Sequence, residues 1–261
     1  MLLSIKQLYG SKLGASDGDI GQVKDLYFDD QSWVVRYLVA DTGTWLTSRQ
    51  VLLSPHAFGD LHQSGKILTV NLTRKQIEDS PPIEWHKPVS RQYEEDYHRY
   101  YGWPFYWLGD GLWGMSGFPI LETPAKPFAG EHDVVAGSKP KNLDVHLRST
   151  QAVNGYHLRA SDGITGHVCD FVMDRKSWAI VQLVIKTGHR FTGNEVLMPV
   201  NTVDRISYDD STVFVKLTKA EVESCPTHDL SPFRVSGFTP PDSTSHSKKQ
   251  MTSASGIMHN K

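Results

Sequence analysis

Short runs of apolar residues, divided by turn-forming residues, predict β-strands along most of the chain. The segments QVKDLYFD at 22–29 and WVVRYLVAD at 33–41 are rich in Val, Leu and aromatic residues. Further runs at 45–54 and 66–72 have the same character. Five or six short strands within about 70 residues predict a small antiparallel barrel, closed or half-closed, which leaves few strand edges exposed.

The chain contains this strand-rich segment twice. A shift of 145 residues (155 − 10) aligns 10–81 with 155–226 without a gap, and 24 of the 72 aligned positions are identical. Thr73 with Gln76, and Thr218 with Glu221, have the spacing of a capping box, which predicts a short helix at the end of each copy. The repeat therefore predicts two related domains of roughly 80 residues each.

The residues that the two copies share resemble the PRC-barrel family. The shared pattern is A-S-D-G-x-x-G, followed by V-x-D, S-W, L-V-x-x-T-G and V-L. That family is named for the cytoplasmic domain of the H subunit of the photosynthetic reaction centre, and a similar barrel forms the C-terminal domain of a ribosome-maturation factor. The resemblance implies two barrels in tandem that serve as protein-interaction modules.

The predicted fold is mainly β, with two small antiparallel PRC-type β-barrels, each ending in a short helix, joined by an aromatic-rich linker with one short helix. The predicted boundaries are 1–86 for the first barrel, 87–145 for the linker and an extended connector, 146–232 for the second barrel and 233–261 for the tail. The Ser/Thr-rich composition of the tail predicts disorder.

The linker is rich in aromatic residues. SRQYEEDYHRYYG predicts a helix that Ser90 caps and Gly102 ends, with its tyrosines on one face and charged residues on the other. Two interpretations stay open: the rings pack against the barrels and join them, or they form an exposed patch that docks a partner protein. The candidate partner-binding residues are Tyr93, Tyr97, Tyr101, Trp103, Phe105, Tyr106, Trp107 and Trp113.

The loop ASDGDIGQVKD at 15–25 looks like an acidic ligand site. It carries Asp17, Asp19 and Asp25, but the equivalent loop of the second copy has Ile164 in place of Asp19. The residues that both loops keep are those that a tight hairpin turn needs, so the sequence predicts a turn and no metal or phosphate site. Asp25 and its equivalent Asp170 are expected to bond to backbone in the turn; proton binding and partner contact are the alternatives.

Charge and composition exclude several classes of function. The net charge of −2 argues against direct contact with nucleic acid. The two cysteines form no CxxC motif, and the histidines form no metal or catalytic motif, so we expect no enzyme, no cofactor and no metal. The chain lacks both a run of ~18 apolar residues and the apolar region of a signal peptide. We therefore expect a cytoplasmic protein without a transmembrane segment.

These observations predict a non-enzymatic interaction or scaffold protein. The resemblance to the H subunit implies a peripheral subunit of a larger assembly at the cytoplasmic face of a membrane, which we expect it to contact only through protein partners. One alternative is a factor associated with ribosomes or RNA processing that binds ribosomal protein. Another is a binder of a small ligand or metal in the cleft between the barrels. The sequence leaves the oligomeric state open.

Overall fold

The protein is mainly β and contains two sheets, seen in a computed structural model that describes residues 1–46, 49–58, 67–81, 89–120, 146–188 and 193–227. The elements of the first half are β1 (Leu2–Ser4), β2 (Lys12–Ala15), β3 (Gly18–Asp29), β4 (Val34–Asp41), β5 (Gln50–Leu53), β6 (Ile67–Thr69), α1 (Arg74–Glu78) and α2 (Arg91–Tyr101). Those of the second half are β7 (Leu147–Ser149), α3 (Thr150–Val153), β8 (His157–Ala160), β9 (Gly163–Asp174), β10 (Ile180–Thr187), β11 (Glu195–Pro199), β12 (Val203–Ser207), β13 (Thr212–Val215) and α4 (Lys219–Glu223). The predicted tail and the part of the linker and connector at 121–145 lie outside the described residues.

The internal repeat of the sequence is also a repeat of structure. Helices α1 and α4 occupy equivalent positions, and both begin with the predicted capping box. Two 3-10 helices, Pro55–Ala57 and Val200–Thr202, are related by the same shift of 145 residues. The repeat extends further towards the N-terminus than the alignment indicates, because β1 and β7 are equivalent strands.

Each sheet is mixed, so the prediction of purely antiparallel sheets is wrong. Within the described residues neither sheet closes on itself, and each contains one parallel pair, β2 with β6 and β8 with β13. In the first copy the chain reverses direction between successive strands, so β6, the fifth strand counted from β2, runs in the same direction as β2. Strand β13 takes the equivalent place in the second copy.

The first strand of each copy pairs with the sheet of the other copy. Strand β1 runs antiparallel to β9, and β7 runs antiparallel to β3. The registers are equivalent, since Leu2 faces Asp174 and Leu147 faces Asp29. By the predicted boundaries, 1–86 contains β1 and 146–232 contains β7. In the structure, however, each of these strands pairs with the sheet of the other copy.

The two copies also meet at the hairpins that hold Trp33 and Trp178. The Val35 amide donates to the carbonyl of Trp178 at 2.9 Å, and the Ile180 amide donates to the carbonyl of Trp33 at 2.7 Å. Both tryptophans have positive φ, 56° and 59°. The larger of two hydrophobic clusters in the described residues runs through both sheets and the aromatic linker, so the two copies and the linker are packed together.

Candidate functional site

The aromatic linker begins with the predicted helix, now α2. The Ser90 hydroxyl accepts a hydrogen bond from the Tyr93 amide at 3.2 Å, and Gly102 ends the helix with a left-handed φ of 71°. The tyrosine face packs against the first copy. There the Tyr97 hydroxyl donates to the Leu52 carbonyl at 2.8 Å. The prediction of a capped helix with one apolar face is therefore confirmed.

Most of the candidate partner-binding rings lie inside the protein. Tyr97, Tyr101, Trp103, Tyr106 and Trp113 are all at most 4% exposed. Tyr93, Phe105 and Trp107 are partly exposed. The exposed-patch interpretation is therefore wrong for the five buried rings, because their area is used in packing the linker onto the two copies. The packing interpretation accounts for them.

A buried carboxylate, Glu94, organises the polar groups of the linker. Its side chain is fully buried, although the sequence places it on the charged face of the helix. It accepts hydrogen bonds from the hydroxyls of Tyr37 at 3.0 Å and Tyr106 at 2.6 Å. Arg91 and His146 provide ion-pair contacts at 3.1 and 3.5 Å. The pattern of charges contains no signal for this burial, because Tyr37 and His146 come from distant parts of the chain.

The pKa values of the two histidines near Glu94, His98 and His146, are shifted in opposite directions. Burial, followed by the neighbouring His56, lowers the pKa of His98 to about 3. Burial by itself also lowers the pKa of His146, but the hydrogen bond and the charge of Glu94 outweigh it and raise the pKa above its ordinary value. These groups are bonded to one another inside the fold, and the arrangement supports a structural role in holding the linker in place.

Trp113 ties the linker to the second copy. Its indole Nε1 donates to the Ser177 carbonyl at 2.8 Å. The guanidinium of Arg36 lies over the ring of Tyr106 at 3.8 Å and that of Trp113 at 4.9 Å, and it donates to the Leu112 carbonyl. These contacts hold the segment after α2 against both copies.

The segment from Phe105 to Phe118 is a compact loop whose backbone is closed on itself. The Gly111 amide donates to the Gly114 carbonyl at 2.7 Å, and the Gly114 amide donates to the Tyr106 carbonyl at 3.0 Å. Glycine is required here, because a Cβ at Gly109 would lie 2.7 Å from the backbone of Gly114. The loop is thus preorganised by its own hydrogen bonds.

The loop and the two residues after it carry five exposed apolar side chains, which we call the outer apolar surface. Met115 is 92% exposed and Leu108 is 59% exposed. The surface comprises Leu108, Leu112, Met115, Phe118 and Ile120. None of these residues is among the sequence-based candidates, although the stretch LWGMSGFPI carries a weak signal in its apolar residues spaced by glycine and serine.

The opening loop is a hairpin turn, as predicted. Asp17 accepts a hydrogen bond from the Arg74 amide at 2.7 Å, and Asp162 accepts the equivalent bond from the Lys219 amide at 2.9 Å, so each aspartate links the turn to the first residue of a helix. A Cβ at Gly21 would lie 1.9 Å from the Asp41 carbonyl oxygen, which explains the glycine. No group of three or more His, Cys, Asp or Glu within the described residues is arranged to hold a metal ion.

Asp25 and Asp170 each accept hydrogen bonds from residues of the other copy, a role that the sequence did not indicate. Asp25 accepts from the hydroxyl of Ser149 and from the Gln151 amide at 3.1 Å. Asp170 accepts from the hydroxyl of Ser4 and the amide of Lys6 at 3.0 Å. Each also bonds to the next amide in its own strand, so the expected backbone bond is only part of its role. Burial raises the pKa of both carboxyls, against the opposing effect of these hydrogen bonds.

The two cysteines are free. Burial raises the pKa of the Cys169 thiol to about 12 and that of Cys225 above its ordinary value. Since the thiolate is the reactive form, both side chains are poor nucleophiles at neutral pH.

Comparison with protein-family models and with curated proteins finds no match to this chain. The likeness to PRC-barrels therefore rests on the shared sequence pattern alone. None of the helices in the described part of the chain is long and apolar enough to cross a membrane.

Proposed function

We propose that this chain is a non-enzymatic interaction protein of the tandem PRC-barrel type, and that its outer apolar surface docks another protein subunit. The observation that carries the proposal is the exposure of Met115 and Leu108 on a loop that is fixed by its own backbone hydrogen bonds and by Trp113. Apolar side chains grouped on one exposed surface mark interaction sites more often than scattered ones do. Methionine suits such a surface, because its unbranched side chain adapts to the shape of a partner.

The loop is suited to binding because little conformational entropy remains to be lost. Trp113 anchors it to Ser177 at 2.8 Å, and the backbone bonds of Gly111 and Gly114 fix its shape. A preorganised surface binds more tightly than a flexible one of equal area.

A protein partner fits this surface better than a lipid bilayer does. Asp110 lies within the loop, and the whole chain carries a net charge of −2. Binding of an apolar surface to anionic lipid is strengthened by clustered basic residues. LWGMSGFPI contains none, and the Lys176 ammonium that lies 4.8 Å from the centre of the Phe118 ring is a single charge, not a cluster. An apolar patch on a neighbouring subunit requires no such charges.

The setting that we propose is a peripheral subunit of a larger assembly, at the cytoplasmic face of a membrane. The support is the sequence resemblance to the H subunit, together with the fixed geometry of the two copies, which suits a scaffold. A ribosome-associated role through ribosomal protein is the second candidate, supported only by resemblance to the maturation factor.

The test is partner capture with matched variants. Chemical cross-linking in native extract should join a protein to the loop of the wild type, and the double substitution Leu108→Ser, Met115→Ser should abolish that cross-link. Ile164→Ser is the control, because it removes another apolar side chain that is 55% exposed. A partner that survives the double substitution would count against the proposal. Co-sedimentation with ribosomal subunits would support the second candidate, and binding to lipid vesicles alone would contradict both.

A further inference from the structure

A second candidate site lies between the two copies, beside the hairpin of Trp33. It is a cavity of about 420 Å³ with Trp33, Val203 and Ile206 as its apolar lining. Its polar rim consists of Asp30, Gln31, Asp204 and Arg205. We call it the Trp33 socket. Its volume is within the range of small-ligand sites, which is roughly 300–1,000 Å³.

The internal repeat shows what fills the equivalent position in the other half of the protein. There the ring of Phe58 packs on the ring of Trp178, with 5.6 Å between centroids and 49° between planes. Trp178 is fully buried as a result. Phe58 and Val203 are equivalent, since 203 − 58 = 145, and each directly follows one of the paired 3-10 helices.

The two residues point their side chains in similar directions from the backbone. The φ angle of Phe58 is −99° and that of Val203 is −70°, whereas ψ differs strongly, at −22° and 131°. The direction of a Cβ relative to the preceding chain depends on φ, and ψ redirects only the chain that follows. Val203 therefore occupies the place of Phe58 but lacks its ring.

Trp33 is consequently left partly exposed where Trp178 is covered. One side of the Trp33 indole is already occupied, because it stacks on Phe28 with 5.4 Å between centroids. The missing ring on the socket side is one difference between the two halves. The socket thus retains an aromatic floor without the aromatic side chain that covers its counterpart.

We propose that the Trp33 socket binds an aromatic side chain from a peptide segment of a partner protein, in the position that Phe58 takes over Trp178. Aromatic rings gain energy from stacked or tilted contacts beyond the area that they bury. The site is separate from the outer apolar surface, so the inference goes beyond the proposed function and stands or fails independently of it.

The rim of the socket is suited to a peptide rather than to an apolar molecule alone. Asp30 is held in place by Arg148 at 2.9 Å and by the Tyr208 hydroxyl at 2.6 Å. The guanidinium of Arg205 is supported by the ring of Phe214 at 3.7 Å. Fixed polar groups around an apolar floor can pair with backbone amides while the ring enters the cavity.

The first experiment titrates the full-length protein with pentapeptides and follows the Trp33 indole resonance by NMR. A peptide with a central phenylalanine should give a saturable shift, and the same peptide with alanine should bind at least tenfold more weakly. Toluene tests whether an aromatic ring without a peptide backbone binds equally well. Toluene binding as tightly as the phenylalanine peptide would overturn the assignment to a peptide, and no saturable shift with any probe would overturn the socket itself.

The second experiment fills the socket from within. Val203→Phe should restore the packing seen at Trp178, raise the melting temperature by about 2–4 °C and abolish the phenylalanine-dependent shift. Retention of the shift in a folded Val203→Phe protein would overturn the proposal. If the variant does not fold, the wild-type titration decides alone. The Leu108→Ser, Met115→Ser variant should bind the phenylalanine peptide like the wild type, which separates failure of this site from failure of the proposed function.

Discussion

The carboxylate of Asp25 accepts a hydrogen bond from the hydroxyl of Ser149, 124 residues away, in the strand that opens the other copy. The equivalent bond joins Asp170 to Ser4. These two pairs lie where the exchanged strands β1 and β7 meet the opposite sheets. Each of these carboxylates therefore links the first strand of one copy to the long hairpin of the other.

We expect Asp170→Ala to lower the free energy of unfolding by about 1–3 kcal/mol, because the amides of Lys6 and Phe171 lose a buried acceptor. Urea denaturation followed by circular dichroism measures the change. Asp19→Ala is the matched control, since Asp19 is exposed and has no equivalent carboxylate in the second copy. Its effect should stay within about 0.5 kcal/mol. Equal midpoints for the two variants would contradict the fastening role.

A fragment of residues 146–227 should form a homodimer rather than a folded monomer. Strand β7 would have no β3 to pair with, but the β9 of a second fragment offers the equivalent edge. In such a dimer, Ser149 of each fragment can donate to Asp170 of the other, and the two Trp178 hairpins can pair as those of Trp33 and Trp178 do in the whole protein. Size-exclusion chromatography with light scattering measures the mass, and a monomer with native β-sheet content would show that strand exchange is dispensable.

Acid should destabilise the protein through His98. Its pKa is lowered to about 3 in the folded protein, so the native imidazole stays neutral while the unfolded one takes up a proton below about pH 6.5. Stability from this group is thus complete above pH 6.5 and is lost as the pH falls towards 3. The loss is at most about 1.4 kcal/mol for each pH unit in that window.

The substitution His98→Gln should flatten this dependence, whatever its effect on stability at neutral pH. Denaturation midpoints measured from pH 4 to 7 give the slope, and His157→Gln provides an exposed control with the wild-type slope. A slope that is unchanged in His98→Gln would mean that other groups cause the acid sensitivity.

The shape of the loop from Phe105 to Phe118 should depend on Gly109. Gly109→Ala places a Cβ 2.7 Å from the backbone of Gly114, at a φ of +125° that other residues rarely adopt. We expect a loss of about 1–3 kcal/mol in stability and weaker capture of the partner. Gly117→Ala is the control, because no atom lies within 4 Å of its added Cβ. Similar behaviour of the two variants would show that the loop does not need its observed shape.

Part of the site was predictable from sequence. The cap at Ser90, the end at Gly102 and the tyrosine face of α2 follow from local spacing, and the structure confirms them. The burial of Glu94 was not predictable, because its acceptor role depends on Tyr37 and His146, which lie far away in sequence. The outer apolar surface was missed because local sequence does not show that Trp113 is buried against the second copy while Met115, two residues later, is exposed.

By itself the sequence determined the main strands within the repeat, the helix caps, the hairpin turn and the duplication, because these depend on neighbouring residues or on identity between the copies. Tertiary structure alone decided that β1 and β7 change sheets, that neither described sheet closes, and that Asp25 fastens one copy to the other. Those outcomes depend on pairing between distant strands, and a strand offers the same backbone hydrogen bonds to any edge with a suitable register. The choice of edge is made by the whole core, in which both copies and the aromatic linker are packed together.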